Sequence, residues 1–507
     1  MAKFTLPWQD KSRPVRLPEL LMLILAVAVG LLSFAIVGYS LTGALSENFW
    51  IEAAALIGVA LFLHVAVTLL APWADQVILP AVVFLNGIGL AMIMRLELAG
   101  VRGANVVRAT QWSLVSAVCA VILLAVLRDH RNLRKFSYLS MIVGLVLLLL
   151  PLVPGLGRTI NGARRWISLF GFSFQPGEFG KILLAIFFAG YFVTNRDNLA
   201  LAGPKFLGLQ LPRARDLGPI IVVWAVSIAV LVLQTDLGTS LMLFGMFVAM
   251  LYLATQRTSW LLIGFLMFGA GAFAAVQTFS HVAARIDGWL NAMDPVVFNR
   301  TGGSFQLVSG LFGLANGGLL GTGWGRGFPQ LVPLSFSDFI YTSLGEELGL
   351  TGILAILVVF LIICERGFRA ALGVRDGFGK LLAGGLSFLF ALQIFTIIGG
   401  NTRLLPLTGL TVPFMAQGGT SMLASWLLIA LLLRISDAAR RPSYDPGIAQ
   451  IAAAPVAEHV VPGRDNTGVI VINGENGFDL HDDEPPGGPL DTSATDVLAP
   501  VPSGVGQ

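Results

Sequence analysis

Residues 281–330 read HVAARIDGWLNAMDPVVFNRTGGSFQLVSGLFGLANGGLLGTGWGRGFPQ, and residues 335–350 read SFSDFIYTSLGEELGL. Together they form a long loop between two hydrophobic spans and lead into the second of them. Loops between membrane helices are usually short, and a long loop commonly carries function. This one mixes arginines, a few acids and many glycines with amphipathic apolar runs. It therefore predicts a folded site at a membrane surface.

The composition around this loop is that of a membrane protein. Of 507 residues 55% are hydrophobic and 12% are charged, whereas soluble domains carry about 25% charge. Apolar runs long enough to cross a bilayer recur along the chain. They lie at about 18–40, 51–71, 77–96, 110–127, 136–155, 177–195, 217–234, 237–256, 259–280, 338–364, 380–400 and 411–434. We expect an all-α polytopic membrane protein with about twelve transmembrane helices; ten or eleven is the alternative.

The basic residues between the spans indicate the orientation, because Lys and Arg are in excess on cytoplasmic loops. With the N-terminus inside, the inner segments carry Lys3, Lys11, Arg13, Arg16, Arg128, Arg131, Arg134, Lys135, Arg196, Lys205, Arg213, Arg215, Arg257, Arg366, Arg369, Arg375, Lys380, Arg440 and Arg441. This alternation predicts a multi-pass plasma-membrane protein with both termini in the cytoplasm and the large loop outside. Arginines on the outer side oppose the bias and need another explanation: they are Arg158, Arg164, Arg165, Arg285, Arg300, Arg326 and Arg403.

The C-terminal segment differs from the rest of the chain. Residues 443–507 contain ten acids and one base, with many Pro, Gly, Ala and Ser. Such a composition predicts a disordered tail. Cys119 and Cys364 lie in different predicted spans, so neither a disulfide nor a metal site is expected.

Polar residues at membrane depth are functional candidates, and the first group lies in Asn161–Lys181. Arg164 and Arg165 precede a span, and Glu178 and Lys181 lie three apart on one helical face. The alternative is an interfacial anchor with a self-neutralising ion pair. We favour a functional role because Lys181 lies inside an apolar span.

Two further breaks interrupt apolar sequence. Gln234–Gly238 separates two spans. Asp236 in this break either belongs to a functional site or only caps the next helix. Gly399–Gly419 contains two prolines and paired glycines, which is typical of a re-entrant or kinked segment packed within protein.

The large loop itself offers Asp294, which precedes Pro295, and the rival carboxylate Asp287. From the spacing alone, a salt-bridged structural acid is a better interpretation than catalysis. The glycine-rich run Gly321–Gly327 lacks the GK[ST] ending and follows no strand, so a nucleotide loop is rejected in favour of turns and helix packing.

Five motifs along the chain resemble, in order, signatures of the SEDS family of bacterial cell-wall synthesis, which includes RodA, FtsW and SpoVE proteins. They are NGARRWI, FQPGEFGK, QTDLGTSL, DFIYTSLGEELGLTG and LLPLTGLTVPFMAQGGTSML. The ending LLLRISDAARRP and the PLTG…PFMAQGG form are more similar to the RodA branch than to FtsW, and residues 1–76 resemble the two extra N-terminal spans of actinobacterial members. The loop departs from the family at Ser304-Phe305-Gln306, where Gly-Tyr-Gln is usual.

The resemblance implies a division of the chain. Residues 1–76 resemble a cytoplasmic N-terminus with two extra spans. Residues 77–437 resemble the ten-helix family core with its large outer loop at about 281–337, and 438–507 form the acidic cytoplasmic tail.

The resemblance also implies a peptidoglycan glycosyltransferase that polymerises lipid II outside the membrane with a class B penicillin-binding protein. The family's catalytic aspartate lies in an Asp-Pro of the outer loop, matched here by Asp294. Glu178, Lys181 and Arg285 match other functional positions of the family. Lipid II is the expected substrate, and no nucleic acid is expected as a partner.

The implied reaction is attack by a sugar 4-hydroxyl on the anomeric carbon of a lipid-pyrophosphate donor. A carboxylate should take the hydroxyl proton, and cations should stabilise the departing pyrophosphate. We assign the first role to Asp294, and the second to Lys181 with Arg164, Arg165 and Arg285. A divalent cation, Mg²⁺ or Mn²⁺, is an alternative source of positive charge, although no carboxylate cluster requires it. The rival functions are a lipid II flippase or transporter, a non-catalytic scaffold, and an FtsW-type division polymerase.

Overall fold

The computed structural model describes residues 14–160, 163–169, 172–200, 205–206, 209–210, 218–234 and 236–442. The predicted acidic tail beyond 442 and the first thirteen residues lie outside the described residues.

The described chain is almost entirely helical. Its α-helices are α1 (Leu17–Thr42), α2 (Phe49–Leu70), α3 (Ile78–Leu98), α4 (Val106–Val126), α5 (Ser137–Leu149), α6 (Gly177–Ala200), α7 (Gly218–Gln234), α8 (Leu237–Thr255), α9 (Thr258–Thr278), α10 (Ser280–Leu290), α11 (Pro295–Asn299), α12 (Phe305–Gly317), α13 (Ile340–Gly373), α14 (Gly377–Asn401) and α15 (Gly419–Arg440). Short 3₁₀ segments occupy His130–Phe136, Leu150–Leu152 and Pro329–Leu331. The end of the bundle that carries residues 280–339 is called the loop face below.

The polytopic all-α prediction is confirmed. Within the described residues, eleven helical segments are long and apolar enough to cross a membrane. The remaining predicted span, 217–234, corresponds to α7, a helix of 17 residues. The predicted break after Gln234 is also confirmed, because α7 ends there and α8 begins at Leu237.

A small sheet at 157–174 was not predicted. Its strands β1 (Gly157–Ile160), β2 (Ala163–Leu169) and β3 (Phe172–Phe174) are antiparallel in the order β1-β2-β3. Trp166 pairs with Arg158, and Ile167 pairs with Phe174. Two two-residue strands, β4 (Lys205–Phe206) and β5 (Leu209–Gln210), also pair. The Arg164-Arg165 pair lies on β2, the central strand of this sheet, and β3 follows before α6 begins.

Helix α3 is the most enclosed span. It packs between α1 and α13, and a Cβ added at Gly87 would lie 3.2 Å from the Cα of Gly30 on α1. Small residues of this kind let membrane helices approach closely. The first of the two N-terminal helices is therefore packed directly against the core.

Helix α15 binds the chain at the ends of α2 and α4 through buried polar side chains. Arg434 donates to the carbonyl of Leu70 at 2.9 Å and also to that of Leu124. Asp437 accepts from the backbone N–H of Trp73 at 2.9 Å. The C-terminal helix thus satisfies backbone groups at the ends of α2 and α4.

The predicted broken segment between α14 and α15 is confirmed. Residues 402–418 are non-helical and include buried Phe414 and Met415. The side-chain amide of Asn86 donates to the carbonyl of Phe414 at 2.9 Å. This irregular backbone is packed within protein, as its position beside a membrane requires.

The glycine-rich run Gly321–Gly327 forms turns that are bound to α13, as predicted. Glu347 accepts from the N–H of Gly325 at 3.0 Å and pairs with buried Arg95 at 2.6 Å. Its neighbour Glu346 accepts from the N–H of Phe328 at 2.8 Å. These two glutamates attach the C-terminal part of the large loop to α13 and α3.

We expect Gly349→Ala to destabilise the protein strongly. Gly349 interrupts α13 at φ 70° and ψ −175°, and a Cβ there would lie 2.2 Å from the backbone nitrogen of Gly321. This backbone region is almost restricted to glycine, so a loss of at least about 2 kcal/mol of stability is expected. Thermal unfolding in detergent measures it. Gly58→Ala, in α2 with open space around its Cβ, is the matched control, and an equal loss there would contradict the explanation.

Candidate active site

A cavity of about 690 Å³ opens at the loop face between the large loop, the three-stranded sheet and the segment after α14. Its lining comprises Arg165, Ala284, Arg285, Gly288, Trp289, Arg300, Thr301, Gly302, Gly303, Ser304, Phe305, Gln306, Leu307, Pro333, Leu334, Asp338, Leu407, Thr408 and Gly409. Three arginines and one carboxylate supply the formal charges of this lining. The cavity can therefore attract an anionic ligand.

Arg165 connects three parts of the site. From β2, its Nη1 lies 3.6 Å from Oδ1 of Asp236, and its Nη2 donates to the carbonyl of Gly409 at 2.8 Å. The side chain is only 16% exposed, so these bonds fix its direction. Arg165 is thereby placed at the cavity wall.

Asp236 is a buried helix cap as well as an ion-pair partner. Its Oδ1 accepts from the N–H of Thr239 at 3.2 Å, and its Oδ2 accepts from the Thr239 hydroxyl at 2.7 Å. Burial disfavours the charged form, but Arg165, Thr239 and Arg285 together hold the pKa of Asp236 below its usual value. The capping interpretation is correct, and the charge additionally orients Arg165.

Arg285 belongs to the same electrostatic group. It lines the cavity from α10. Burial lowers the pKa of its guanidinium, the Asp236 carboxylate opposes this shift, and Arg165 adds to it. Arginine keeps its proton in proteins, so two positive charges converge near one buried carboxylate.

Asp294 lies at the exposed start of α11. Its Oδ1 accepts from the N–H of Val296 at 2.7 Å and of Val297 at 3.4 Å, which makes Asp294 the N-cap, with Pro295 as the first helical residue. The cap uses Oδ1, so Oδ2 takes no part in it. Asp294 is not part of the cavity lining, and its assignment as a base stays a prediction.

Glu178 and Lys181 form a buried ion pair at the start of α6, with Nζ 3.0 Å from Oε2. Neither residue lines the cavity, although α6 packs against α8, which Asp236 caps. Arg164 points elsewhere and lies 3.5 Å from the carbonyl of Val153. Of the five residues predicted to bind substrate, the structure therefore brings only Arg165 and Arg285 to the cavity.

Sequence reasoning missed Asp338, which lines the cavity just before α13. Burial raises its pKa to about 6, against the opposing effects of its own backbone N–H and of Arg165. Its position inside the DFIYTSLGEELGLTG signature was the available signal. A carboxyl that titrates near neutrality in a cavity is a functional candidate.

Two contacts position α10 beside the cavity. Arg300 pairs with Asp287 at 3.1 Å, and Arg403 donates to the carbonyls of Trp289 and Leu290 at 3.0 and 2.7 Å. Asn291 and Arg300 lower the pKa of Asp287. The rival carboxylate Asp287 is therefore engaged in an exposed ion pair.

The arrangement offers an anion site rather than a ready metal site. Among the described residues, no group of three or more His, Cys, Asp or Glu side chains is placed to hold a metal ion. The cavity itself supplies positive charge through its three arginines.

Helices and cavity together define a polytopic membrane protein whose loop face carries a cavity lined by three arginines. The chain belongs to the FtsW/RodA/SpoVE family of cell cycle proteins, whose model matches residues 75–441. It is 46% identical over 386 residues to the peptidoglycan glycosyltransferase RodA of Mycobacterium tuberculosis (strain ATCC 25618 / H37Rv), covering 75% of this chain and 81% of that protein.

One more distant relative agrees with this assignment, and one solved structure shares the fold. A probable peptidoglycan glycosyltransferase FtsW of Geobacter metallireducens is 32% identical over 320 residues, which cover 63% of this chain and 81% of that protein. A chain of a solved peptidoglycan synthase complex matches 78% of this chain and 98% of its own length, with a TM-score of 0.50 and 20% identity. The last comparison shows a shared fold.

Proposed function

We propose that this chain is a peptidoglycan glycosyltransferase that polymerises lipid II into glycan strands. The observation that carries the proposal is the cavity at the loop face, where Arg165, Arg285 and Arg300 converge in a chain 46% identical to a peptidoglycan glycosyltransferase. Guanidinium groups bind phosphate oxygens bidentately, which suits a pyrophosphate leaving group. The higher identity to RodA than to FtsW favours cell elongation and shape over division.

The orientation follows from the charge pattern. Basic residues accumulate on the segments opposite the loop face, so that side faces the cytoplasm and the loop face lies outside the plasma membrane. Both termini are then cytoplasmic. Residues 77–437 form the catalytic membrane domain, residues 1–76 precede it, and the acidic tail begins at about 438.

The chemistry is a single displacement. The acceptor 4-hydroxyl oxygen forms a bond to the anomeric carbon as the bond from that carbon to the pyrophosphate oxygen breaks, which inverts the configuration. The hydroxyl proton passes to the carboxylate of Asp294 as charge develops. The pyrophosphate departs as an anion stabilised by Arg165 and Arg285.

A class B penicillin-binding protein is the proposed partner, because glycan strands need a transpeptidase to cross-link them. The test is polymerisation of lipid II by the purified chain together with such a partner. Long glycan strands, sensitive to a muramidase, are the expected product. A folded complex that makes none would refute the glycosyltransferase assignment and leave the flippase or the scaffold.

The buried Glu178–Lys181 pair provides a separate prediction. Lys181→Met leaves Glu178 buried without its counterion and should destabilise the protein by about 3 kcal/mol. The double variant Glu178→Gln with Lys181→Met removes both charges, so its thermal stability should recover. If Lys181 engages the donor phosphate, polymerisation should still fall at least about 100-fold. Full polymerisation by the stable double variant would show that neither Glu178 nor Lys181 takes part in catalysis.

A further inference from the structure

A hydrogen bond from α14 fixes the backbone of Asp338 beside the cavity. The side-chain amide of Asn401 donates to the Asp338 carbonyl at 3.0 Å, and Ile340 begins α13 two residues later. The backbone is therefore anchored at the junction of α13 and α14. Asp338 also lines the cavity.

One oxygen of this carboxylate has no donor. In the part of the chain that the structure describes, Oδ1 of Asp338 is buried and has no hydrogen-bond partner. A buried polar atom without a partner costs free energy, and such atoms in a native protein call for an explanation. Rotation about the terminal torsion is soft, so a donor entering the cavity can reach either oxygen.

The other oxygen lies beside the proposed phosphate-binding arginine. A Cβ built on Gly409 would be 3.2 Å from Nη2 of Arg165 and 3.8 Å from Oδ2 of Asp338. Gly409 itself has φ +66°, a conformation that favours glycine. A cationic donor and an anionic acceptor thus lie on the same side of Gly409, close enough for one ligand to contact both.

This pairing suits a sugar attached to a pyrophosphate. Arginine can only donate hydrogen bonds, so it binds phosphate oxygens but cannot accept from a sugar N–H or hydroxyl. A carboxylate accepts these bonds. In a 2-acetamido sugar, the N–H at carbon 2 lies next to the anomeric carbon that carries the pyrophosphate.

We propose that Asp338 is a positioning and specificity-determining residue that accepts a hydrogen bond from the acetamido N–H of the donor sugar while Arg165 binds the adjoining pyrophosphate. The inference deepens the proposed glycosyltransferase function and rests on it for the identity of the donor. It adds a second acidic residue, distinct in role from Asp294.

The titration of Asp338 supports this role. Its pKa of about 6 means that the carboxylate is a charged acceptor above pH 6 and loses that charge as the pH falls through 6. Among the charged groups near Asp338, Arg165 of β2 acts on its carboxyl directly. Arg285 of α10 and Arg300 of the loop line the same cavity, and Asp236 at the start of α8 pairs with Arg165. Donor affinity should therefore weaken below pH 6.

The first experiment measures binding without turnover. The full chain in nanodiscs is titrated with a fluorescent lipid-linked 2-acetamido sugar pyrophosphate, and with an analogue that carries a hydrogen at carbon 2. Asp338→Leu should weaken binding of the acetamido donor about 30-fold and of the analogue less than about threefold, as expected for loss of a charged hydrogen bond. An equal loss for both donors, or no loss, would overturn the proposal and leave Asp338 as a counterion of Arg165.

The conservative variant adds a pH readout. Asp338→Asn keeps a neutral acceptor, so donor KM should rise about fivefold while kcat stays within about threefold. The decline of donor affinity below pH 6 should disappear in this variant. If Asp338→Asn instead abolishes turnover with donor binding intact, Asp338 is the proton acceptor and the positioning role is wrong.

The matched control is Asp129→Asn. Asp129 caps the 3₁₀ segment His130–Phe136 through the N–H of Arg131, on the face opposite the cavity, so binding and turnover should be unchanged. The proposed function and this inference fail separately. A wild-type complex that makes no strands but binds the acetamido donor through Asp338 would refute only the first.

Discussion

Asp294→Asn is expected to abolish glycan polymerisation while leaving the protein folded. Asparagine caps helices as well as aspartate does, so its side-chain oxygen can keep the bonds to Val296 and Val297. It cannot act as a general base at neutral pH. Loss of the base should lower the rate by about 10²- to 10⁴-fold, measured as strands formed from lipid II with the transpeptidase partner.

Because asparagine keeps the helix cap, this substitution tests the loss of the base without a change in folding. Asp294→Ser is the matched control, because serine also caps α11 and lacks a carboxylate. Both variants should unfold at nearly the wild-type temperature and both should be inactive. Strands from Asp294→Asn at the wild-type rate would move the base elsewhere, with Asp287 and then Asp338 to be tested next.

Arg165→Met should have the second large effect, on folding and catalysis together. Methionine leaves Asp236 buried without its nearest cation and removes the bond to the Gly409 carbonyl. Breaking a buried pair costs about 3–5 kcal/mol, and the value here should be nearer 2–3 kcal/mol because Thr239 and Arg285 still stabilise the charge. Thermal unfolding and the polymerisation assay report the two losses.

A double variant separates them. Adding Asp236→Asn to Arg165→Met removes the uncompensated charge, and asparagine can still cap α8. Stability should then return most of the way, whereas polymerisation should stay at least about 100-fold low because the phosphate-binding cation is missing. Recovery of both properties would show that Arg165 acts only through folding.

Hydropathy was enough to predict the long apolar helices, but not the helices α10, α11 and α12 within the large loop. Long apolar runs, the break after Gln234 and the packed segment 402–418 each carry a local signal, so each was predicted and confirmed. The strands at 157–174 were missed because they are short and their residues have no clear period. Short strands such as these form by pairing with one another, and a single sequence does not show which segments pair.

The candidate site depends even more on contacts between distant segments, which a single sequence does not show. Arg165 meets Gly409 across 244 positions of sequence, and Asp338 joins them from a third segment. The phosphate-binding role was predicted for Arg165, Arg285, Arg164 and Lys181 from the pyrophosphate donor that the family resemblance implies and, for the arginines, from their outer position. The structure places Arg165 and Arg285 at the cavity, and not the other two. For Asp338 the sequence offers only its place in the DFIYTSLGEELGLTG signature. Its buried oxygen without a hydrogen-bond partner and its raised pKa arise only after three distant segments pack together.

The bonds from α15 also bear on how the chain is made. Leu70 and Trp73 leave the ribosome long before Arg434 and Asp437, which bind them in the finished protein. The earliest helices can insert in the bilayer one by one, but the ends of α2 and α4 stay incomplete until synthesis of the membrane domain is nearly over. Release of a chain that stops before residue 434 would therefore yield an inserted but unfinished bundle, recognisable to the quality-control proteases of the membrane.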